Sequence, residues 1–140
     1  NIYEGTTQLQ VVAAMGSIMT GVVFDWMDYI EQSADLAALP GQLGMARQCR
    51  KALQDVVGHL KERGDLDFQE FHARRVMDMA AESSMAYLLT RDAVYSDSKR
   101  IVADLFLARA VKKVQAWKET ILDQNQAWFE QVFALWEQTL

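Results

Sequence analysis

The chain is poor in the residues that punctuate a β-fold. Its 140 residues include one cysteine, one proline and seven glycines, none of which lies after Gly64. Because turns between short strands depend on Gly and Pro, this scarcity argues against an all-β fold for residues 65–140. Hydrophobic residues (51%) and charged residues (24%) are balanced as in globular proteins, which excludes a disordered chain. The length predicts one domain.

The chain also lacks a region of one charge sign. Its net charge is −5, with five basic and seven acidic residues in 1–64 and nine and twelve in 65–140. Without a basic half, nucleic-acid binding is not expected. The lone Cys49 cannot form an internal disulfide, which predicts a reduced, cytoplasmic protein.

No targeting segment is evident at the start of the chain. A basic region followed by an apolar core is missing, so no signal peptide is expected. The uncharged run at residues 5–24 is long enough for a membrane span, but six polar side chains and the glycines Gly16 and Gly21 interrupt it. We therefore expect no membrane span. The start at Asn1 predicts a fragment of a longer protein.

Apolar residues recur at steps of three and four in four segments, which predicts an all-α fold. The segments are residues 6–37, 42–63, 68–94 and 99–138, the last with a break near 123–126. We expect them to form an antiparallel up-down four-helix bundle with long helices. Pro40 is expected to end the first helix, Gly64 to cap the second in a left-handed conformation, and Asp67 to cap the start of the third.

Each predicted helix has an apolar stripe that is expected to face the core. The stripes are Leu9, Val12, Gly16, Met19, Val23, Trp26, Ile30 and Ala34; Ala46, Cys49, Leu53, Val56 and Leu60; Phe68, Val76, Met79, Ser83, Ala86 and Thr90; and Leu107, Val111, Val114, Trp117, Ile121, Trp128, Val132 and Leu135.

Most tests for a chemical site are negative. With two histidines and no cysteine pair, no metal site is expected. Cys49 lies on an apolar stripe and is expected to be a small core residue, and His59 and His72 to be surface or interhelical hydrogen-bonding residues. The four tryptophans are expected in the core or at a subunit contact. The basic stretch from Lys99 to Lys118 is expected to face the acidic segment 65–98.

The first ten residues carry the most informative pattern, Asn-Ile-Tyr-Glu-Gly-Thr-Thr-Gln-Leu-Gln. Glu4 is predicted just ahead of a helix N-terminus, with Gly5 giving backbone freedom and Thr6 and Thr7 offering hydroxyl and N–H groups to an anion. A general base at position 4 needs its pKa raised by burial. The plain alternative is a capped helix start with a solvated Glu4.

Residues 2–10 closely resemble the I-Y-E-G-T-x-x-I/L-Q segment of acyl-CoA dehydrogenases. The resemblance implies that Glu4 is the catalytic base, which removes the α-proton of the acyl-CoA thioester. It also implies that Gly5 lies against the substrate and that Thr6, Thr7 and Gln8 contact FAD. In the family, FAD accepts the hydride from the β-carbon of the substrate, and the product is a trans-2-enoyl-CoA. Val11 departs from the family, since several members carry arginine there.

The resemblance implies further features of the whole protein. Residues 1–37 would be the last helix of the dehydrogenase C-terminal helical domain, and residues 38–140 an additional helical extension packed with it in one compact unit. The parent enzyme would pass electrons to an electron-transferring flavoprotein and form a homo-oligomer, while this fragment would be inactive and structural. The alternative is a stand-alone helical protein–protein interaction module without enzymatic activity.

Overall fold

A computed structural model describes residues 2–123 and 127–139 of the chain. The described residues form six α-helices and one short 3-10 helix, with no strand among them. The helices are α1 (Ile2–Met19), α2 (Val22–Ser33), α3 (Pro40–Arg63), α4 (Leu66–Ala93), α5 (Asp97–Leu122) and α6 (Ala127–Thr139), and the 3-10 helix is Leu36–Ala38. The predicted all-α class is confirmed.

The prediction of one continuous helix over residues 6–37 is wrong, because two helices, α1 and α2, occupy this range. Gly21 adopts a left-handed conformation with φ 88°, and the Thr20 hydroxyl donates to the Gly16 carbonyl at 2.9 Å. The chain bends by 63° between α1 and α2. A left-handed glycine interrupts the helical ladder, and Thr20-Gly21 was the sequence signal that the periodicity concealed.

The predicted stripe of α1 is also wrong. Val11, Met15 and Ile18 are buried, whereas Leu9 and Val12 are exposed. No charged residue occurs from Gly5 to Phe24, and the polar residues of this run do not mark either apolar stripe as the solvent side, so the sequence does not distinguish the two stripes.

The predicted stripe of α3 is confirmed. All five of its residues are buried, and Gly64 caps the helix with φ 61°, as predicted. Pro40 does not lie in a linker but in the first turn of α3, where its missing N–H is harmless.

The predicted stripe of α4 is confirmed as well, and it also buries His72 and Tyr87. The predicted cap is wrong, because Asp65 rather than Asp67 accepts a hydrogen bond from the backbone N–H of Phe68 at 3.2 Å. The helix therefore begins at Leu66, two residues before the predicted start.

The predicted break in the last segment is confirmed by the helix bounds. Helix α5 ends at Leu122 and α6 begins at Ala127, while residues 124–126 lie outside the described part. In the predicted stripe, Leu107, Val114 and Ile121 are buried, but Val132 and Leu135 are exposed.

Helices α3, α4 and α5 pack pairwise against one another, and α1 and α2 pack on α4. Gln42 donates to Asp104 at 2.8 Å and Lys118 to Asp55 at 2.9 Å, so α3 and α5 run in the same direction. The Gly64-Asp65 connection makes α4 run opposite to both.

Two apolar clusters fill the interior. Phe68, Val56 and Phe129 belong to the first, which also contains the buried residues of α1. Met27, Leu36 and Leu107 belong to the second, at the end where α3 and α5 begin. In the part of the chain described, no single helix is long and apolar enough to span a membrane; Leu9–Met19 and Val22–Ser33 pass that test of length and composition only as a bent pair.

Candidate functional site

The residues of the sequence motif lie at the start of α1. The helix begins at Ile2, so the backbone of Glu4 and Gly5 is helical and does not precede the helix as predicted. Thr6, Thr7 and Gln8 follow within the first two turns. The side chains of these five residues lie outside the described part of the chain.

A polar cluster that the sequence did not indicate joins α2, α3 and α4. Arg47 donates to both carboxylate oxygens of Glu31, at 2.9 and 3.4 Å, and the buried Tyr87 donates its hydroxyl to Glu31 Oε1 at 3.0 Å. The hydrogen bond from Arg47 is the largest cause that lowers the pKa of Glu31. Burial, opposed by Arg50, raises the pKa of Tyr87 to about 12, so the hydroxyl stays a donor.

Ion pairs extend this connection along α3. Arg50 Nη1 contacts Asp28 Oδ1 at 2.6 Å, and Asp55 pairs with both Lys51 and Lys118. The hydrogen bond from Lys51 is the largest cause that lowers the pKa of Asp55. The lowered pKa values keep Glu31 and Asp55 ionised near neutral pH. Both side chains connect neighbouring helices, and neither is arranged as a general base.

Cys49 is buried, as predicted. Burial raises the pKa of its thiol to about 11, and the nearby charge of Glu82 acts in the same direction. Because the thiolate is the nucleophilic form, Cys49 is unsuited to catalysis.

An aromatic cluster at the junction of α4 and α6 contains His72. Its ring lies edge-on to Phe68 at 4.6 Å and to Trp128 at 6.3 Å. The ring is fully buried, so of the two predicted locations the surface is excluded for His72 and the interhelical one stays open. Arg63 places its guanidinium 3.8 Å from the centre of the Phe68 ring. This is a cation–π contact, in which the charged guanidinium of Arg63 covers one face of the buried Phe68 ring.

The tryptophans divide between packing and exposure. Trp26, Trp117 and Trp128 are half-buried, and the ring of Trp128 lies 5.6 Å from that of Phe71. Trp136 is exposed and borders a groove of about 470 Å³ between α4 and α6.

The basic stretch of α5 faces the acidic α4 at one position. Lys113 pairs with Glu82 at 3.4 Å, whereas Lys118 reaches Asp55 of α3 and Arg100 pairs within α5 itself. Lys112 remains exposed on the outer side of α5.

Among the described residues there is no group of three or more His, Cys, Asp or Glu side chains that could hold a metal ion. Glu31, Asp55 and Tyr87 are each engaged in hydrogen bonds or ion pairs between helices. The remaining candidate for chemistry is the helical segment at residues 4–8.

The family described as acyl-CoA dehydrogenase C terminal matches residues 20–127. The match covers more than three quarters of the chain, including α2 to α5, and the chain therefore belongs to this family. No significant match was found among curated proteins or among solved structures. The matched region begins after the motif at residues 2–10, so the motif and the family match are separate observations.

Proposed function

We propose that the chain is the C-terminal part of an FAD-dependent acyl-CoA dehydrogenase. The reaction would be α,β-dehydrogenation of an acyl-CoA thioester to a trans-2-enoyl-CoA. The observation that carries this proposal is a juxtaposition: the motif at residues 2–10 lies on α1, which continues to Met19 and ends where the family match begins.

In this proposal Glu4 is the base that removes the α-proton, and Gly5 lies against the thioester. A carboxylate in the first turn of a helix is stabilised in its ionised form by the helix dipole. Efficient proton abstraction near neutral pH needs a higher pKa. The remainder of the enzyme must therefore bury Glu4 enough to outweigh the dipole.

The donor set of residues 6–8 fits a flavin nucleotide. Thr6 and Thr7 carry hydroxyl groups and Gln8 carries an amide, and all three lie in the second turn of α1, directly after the four residues whose free N–H groups favour an anion. When bound, FAD accepts the hydride from the β-carbon. Thr6, Thr7 and Gln8 would hold its polar edge.

The same proposal gives residues 38–140 the role of an additional helical extension, with residues 1–37 belonging to the dehydrogenase helical domain. Burial of Val11, Met15 and Ile18 in the same cluster as α3, α4 and α5 supports a single packed unit. The alternating directions of α3, α4 and α5 support an up-down bundle. The extension would act in structure and oligomerisation, and the fragment alone would be inactive.

The partners and location follow from the parent enzyme. We propose an acyl-CoA substrate, an electron-transferring flavoprotein as electron acceptor, and a cytoplasmic homo-oligomer. The even charge distribution supports the absence of a nucleic-acid partner.

A stand-alone interaction module is the second candidate function. The exposed Trp136 and Leu135 on α6 favour it, because large apolar side chains at the surface are typical of protein contacts. The flavin content of the whole protein separates the two candidates.

Substitution of the proposed base tests the leading proposal. In the whole polypeptide, Glu4→Gln should keep the bound flavin and abolish exchange of the substrate α-proton with solvent. Glu119→Gln is the matched control, since it removes the same charge from an exposed position on α5. Proton exchange that survives Glu4→Gln would refute Glu4 as the base, and a whole protein without flavin would refute the dehydrogenase assignment.

A further inference from the structure

The groove of about 470 Å³ between α4 and α6 combines two carboxylates with an apolar surface. We call it the α4–α6 groove, and its lining residues are Asp67, Glu70, Phe71, Val132, Phe133 and Trp136. None of these six side chains is basic. Binding pockets commonly have volumes of about 300–1,000 Å³, so the groove is large enough to receive side chains of a ligand.

The two carboxylates lie on the α4 side of the groove. Asp67 and Glu70 are three residues apart, so they share one side of the helix, and both are exposed. Among the described residues, neither carboxylate forms a hydrogen bond or an ion pair. Arg63 and Arg74, the basic residues closest to them in the sequence, pair with other aspartates at 3.6 and 3.4 Å. The groove therefore presents uncompensated negative charge to a ligand.

Aromatic rings follow one another on the α6 side of the groove. The ring of Phe133 lies 5.8 Å from that of Phe129 and 5.7 Å from that of Trp136. Trp136 and Val132 are 55% and 50% exposed. The face of an aromatic ring attracts a cation, and tryptophan does so most strongly. This wall can therefore bind a cation as well as apolar side chains.

The same aromatic cluster already holds guanidinium groups of this chain. Arg63 lies 3.8 Å from the centre of the Phe68 ring and 5.8 Å from that of Phe129, and Arg75 lies 5.8 Å from that of Phe71. A guanidinium is planar and weakly hydrated, stacks on aromatic rings and donates paired hydrogen bonds to carboxylates. The α4–α6 groove offers both kinds of contact to a further arginine.

We propose that the α4–α6 groove binds an arginine-bearing, apolar segment of another protein. The guanidinium of the segment would lie on the ring of Trp136 and donate hydrogen bonds to Asp67 and Glu70. Apolar side chains beside that arginine would cover Val132 and Phe133. The inference goes beyond the proposed function, because it gives the chemistry of a partner for this chain. It depends on neither flavin nor Glu4, so its failure leaves the dehydrogenase assignment standing.

Binding of a synthetic peptide tests the proposal. The probe is a fluorescein-labelled peptide of alternating leucine and arginine, and its binding to the chain is measured by fluorescence anisotropy. The comparison peptide carries citrulline in place of arginine, which keeps the shape of the side chain and removes its charge. The arginine peptide should bind saturably below about 1 mM and at least about tenfold more tightly than the citrulline peptide.

Removal of the two carboxylates distinguishes the groove from the net charge of the chain. Asp67→Asn combined with Glu70→Gln should weaken binding of the arginine peptide by about tenfold or more. Asp25→Asn combined with Asp35→Asn is the matched control, since it removes the same charge from two exposed residues outside the groove. The control should change the affinity by less than about twofold.

Removal of the tryptophan ring tests the aromatic wall. Trp136→Ala should weaken binding of the arginine peptide by about tenfold, because the ring would be the main apolar anchor of the site. Tyr95→Ala is the matched control, since Tyr95 is 75% exposed and follows the opposite end of α4, and the affinity should be unaffected. Circular dichroism checks the fold of every variant.

Four results would overturn the proposal. The first is the absence of saturable binding below about 1 mM. Equal affinity for the citrulline peptide would show that only the apolar surface binds. Equal losses in the two double variants would assign the binding to the net charge of the chain and not to the groove. Binding by the chain that is absent from the whole polypeptide would show that another part of that polypeptide occupies the groove.

Discussion

Helix α6 should detach from the rest of the molecule when Phe129 is truncated. Phe129 is buried among the rings of Phe68 and Phe71, with centroids at 5.2 and 5.0 Å. Trp128 and Phe133 are half-buried, and the second half of α6 is exposed. The docking of α6 therefore depends chiefly on one side chain.

The magnitude follows from the limited burial of α6. Full burial of a phenylalanine side chain contributes about 1.5–3 kcal/mol, and ordering the backbone of each residue costs about 1–2 kcal/mol. Docking of the helix is thus worth only a few kcal/mol. In an ordinary core, Phe→Ala lowers the free energy of unfolding by about 3–5 kcal/mol. That is more than the free energy with which α6 docks on the rest of the molecule.

We therefore expect Phe129→Ala to lower the free energy of unfolding by at most about 2–3 kcal/mol, because the loss stops once α6 is undocked. Phe68→Ala is the comparison. Phe68 lies between α3, α4 and α6, and its removal should have the full cost of about 3–5 kcal/mol.

Urea denaturation measures the two stabilities, and hydrogen exchange followed by mass spectrometry locates the change. In Phe129→Ala the amides of α6 should lose protection while those of α3, α4 and α5 keep theirs. Equal losses of stability in the two variants, with protection falling together in all helices, would refute this reasoning and make α6 part of the cooperative core.

Two further predictions concern the backbone and pH. Gly21→Ala should destabilise the chain by about 1 kcal/mol because φ is 88° at this position. Gly58→Ala should stabilise it by about 0.5–1 kcal/mol, because position 58 is helical and the added Cβ meets nothing within 4 Å. Urea denaturation measures both changes, and a change of the same sign in the two variants would contradict the left-handed conformation of Gly21. The pKa of Glu31 is lowered from 4.5, first by its hydrogen bond from Arg47, so its contribution is present above pH 4.5 and is lost as the pH falls through the folded pKa. Unfolding measured at a series of acidic pH values should show a weaker pH dependence for Glu31→Gln, and identical profiles would contradict this role.

The sequence predicts the middle of this fold well. The stripes of α3 and α4 alternate clearly with charged residues, so the buried side is marked by contrast. The same logic located the break after Leu122, where polar residues of weak helix propensity follow one another. The left-handed Gly64 was predictable because basic residues and a glycine mark helix ends.

The N-terminal region was harder for physical reasons. Helix α1 carries apolar residues on two faces, and periodicity cannot choose between Leu9–Val12 and Val11–Met15 because no charged residue from position 5 to 24 marks the solvent side. The bend at Gly21 falls between Met19 and Val23, which continue the predicted apolar stripe at helical spacing. A glycine that continues such a pattern is consistent with either a helix interior or a break, and only its φ distinguishes them.

The polar cluster around Glu31 and the exposure of the second half of α6 both depend on tertiary structure. Glu31, Arg47 and Tyr87 are far apart in the sequence, and no local pattern predicts that they meet. The exposed Val132 and Leu135 continue an ordinary apolar stripe, so the sequence alone predicts burial. The motif at residues 2–10 was found by resemblance, since its residues have a plain structural explanation as a helix start.

The visible absorption spectrum of the whole polypeptide tests the central claim most directly. We predict bound flavin, bleached on addition of an acyl-CoA thioester in the unaltered protein and unbleached in Glu4→Gln. A protein that folds and stays colourless when supplied with FAD, or a Glu4→Gln protein that is bleached at the unaltered rate, would contradict the account.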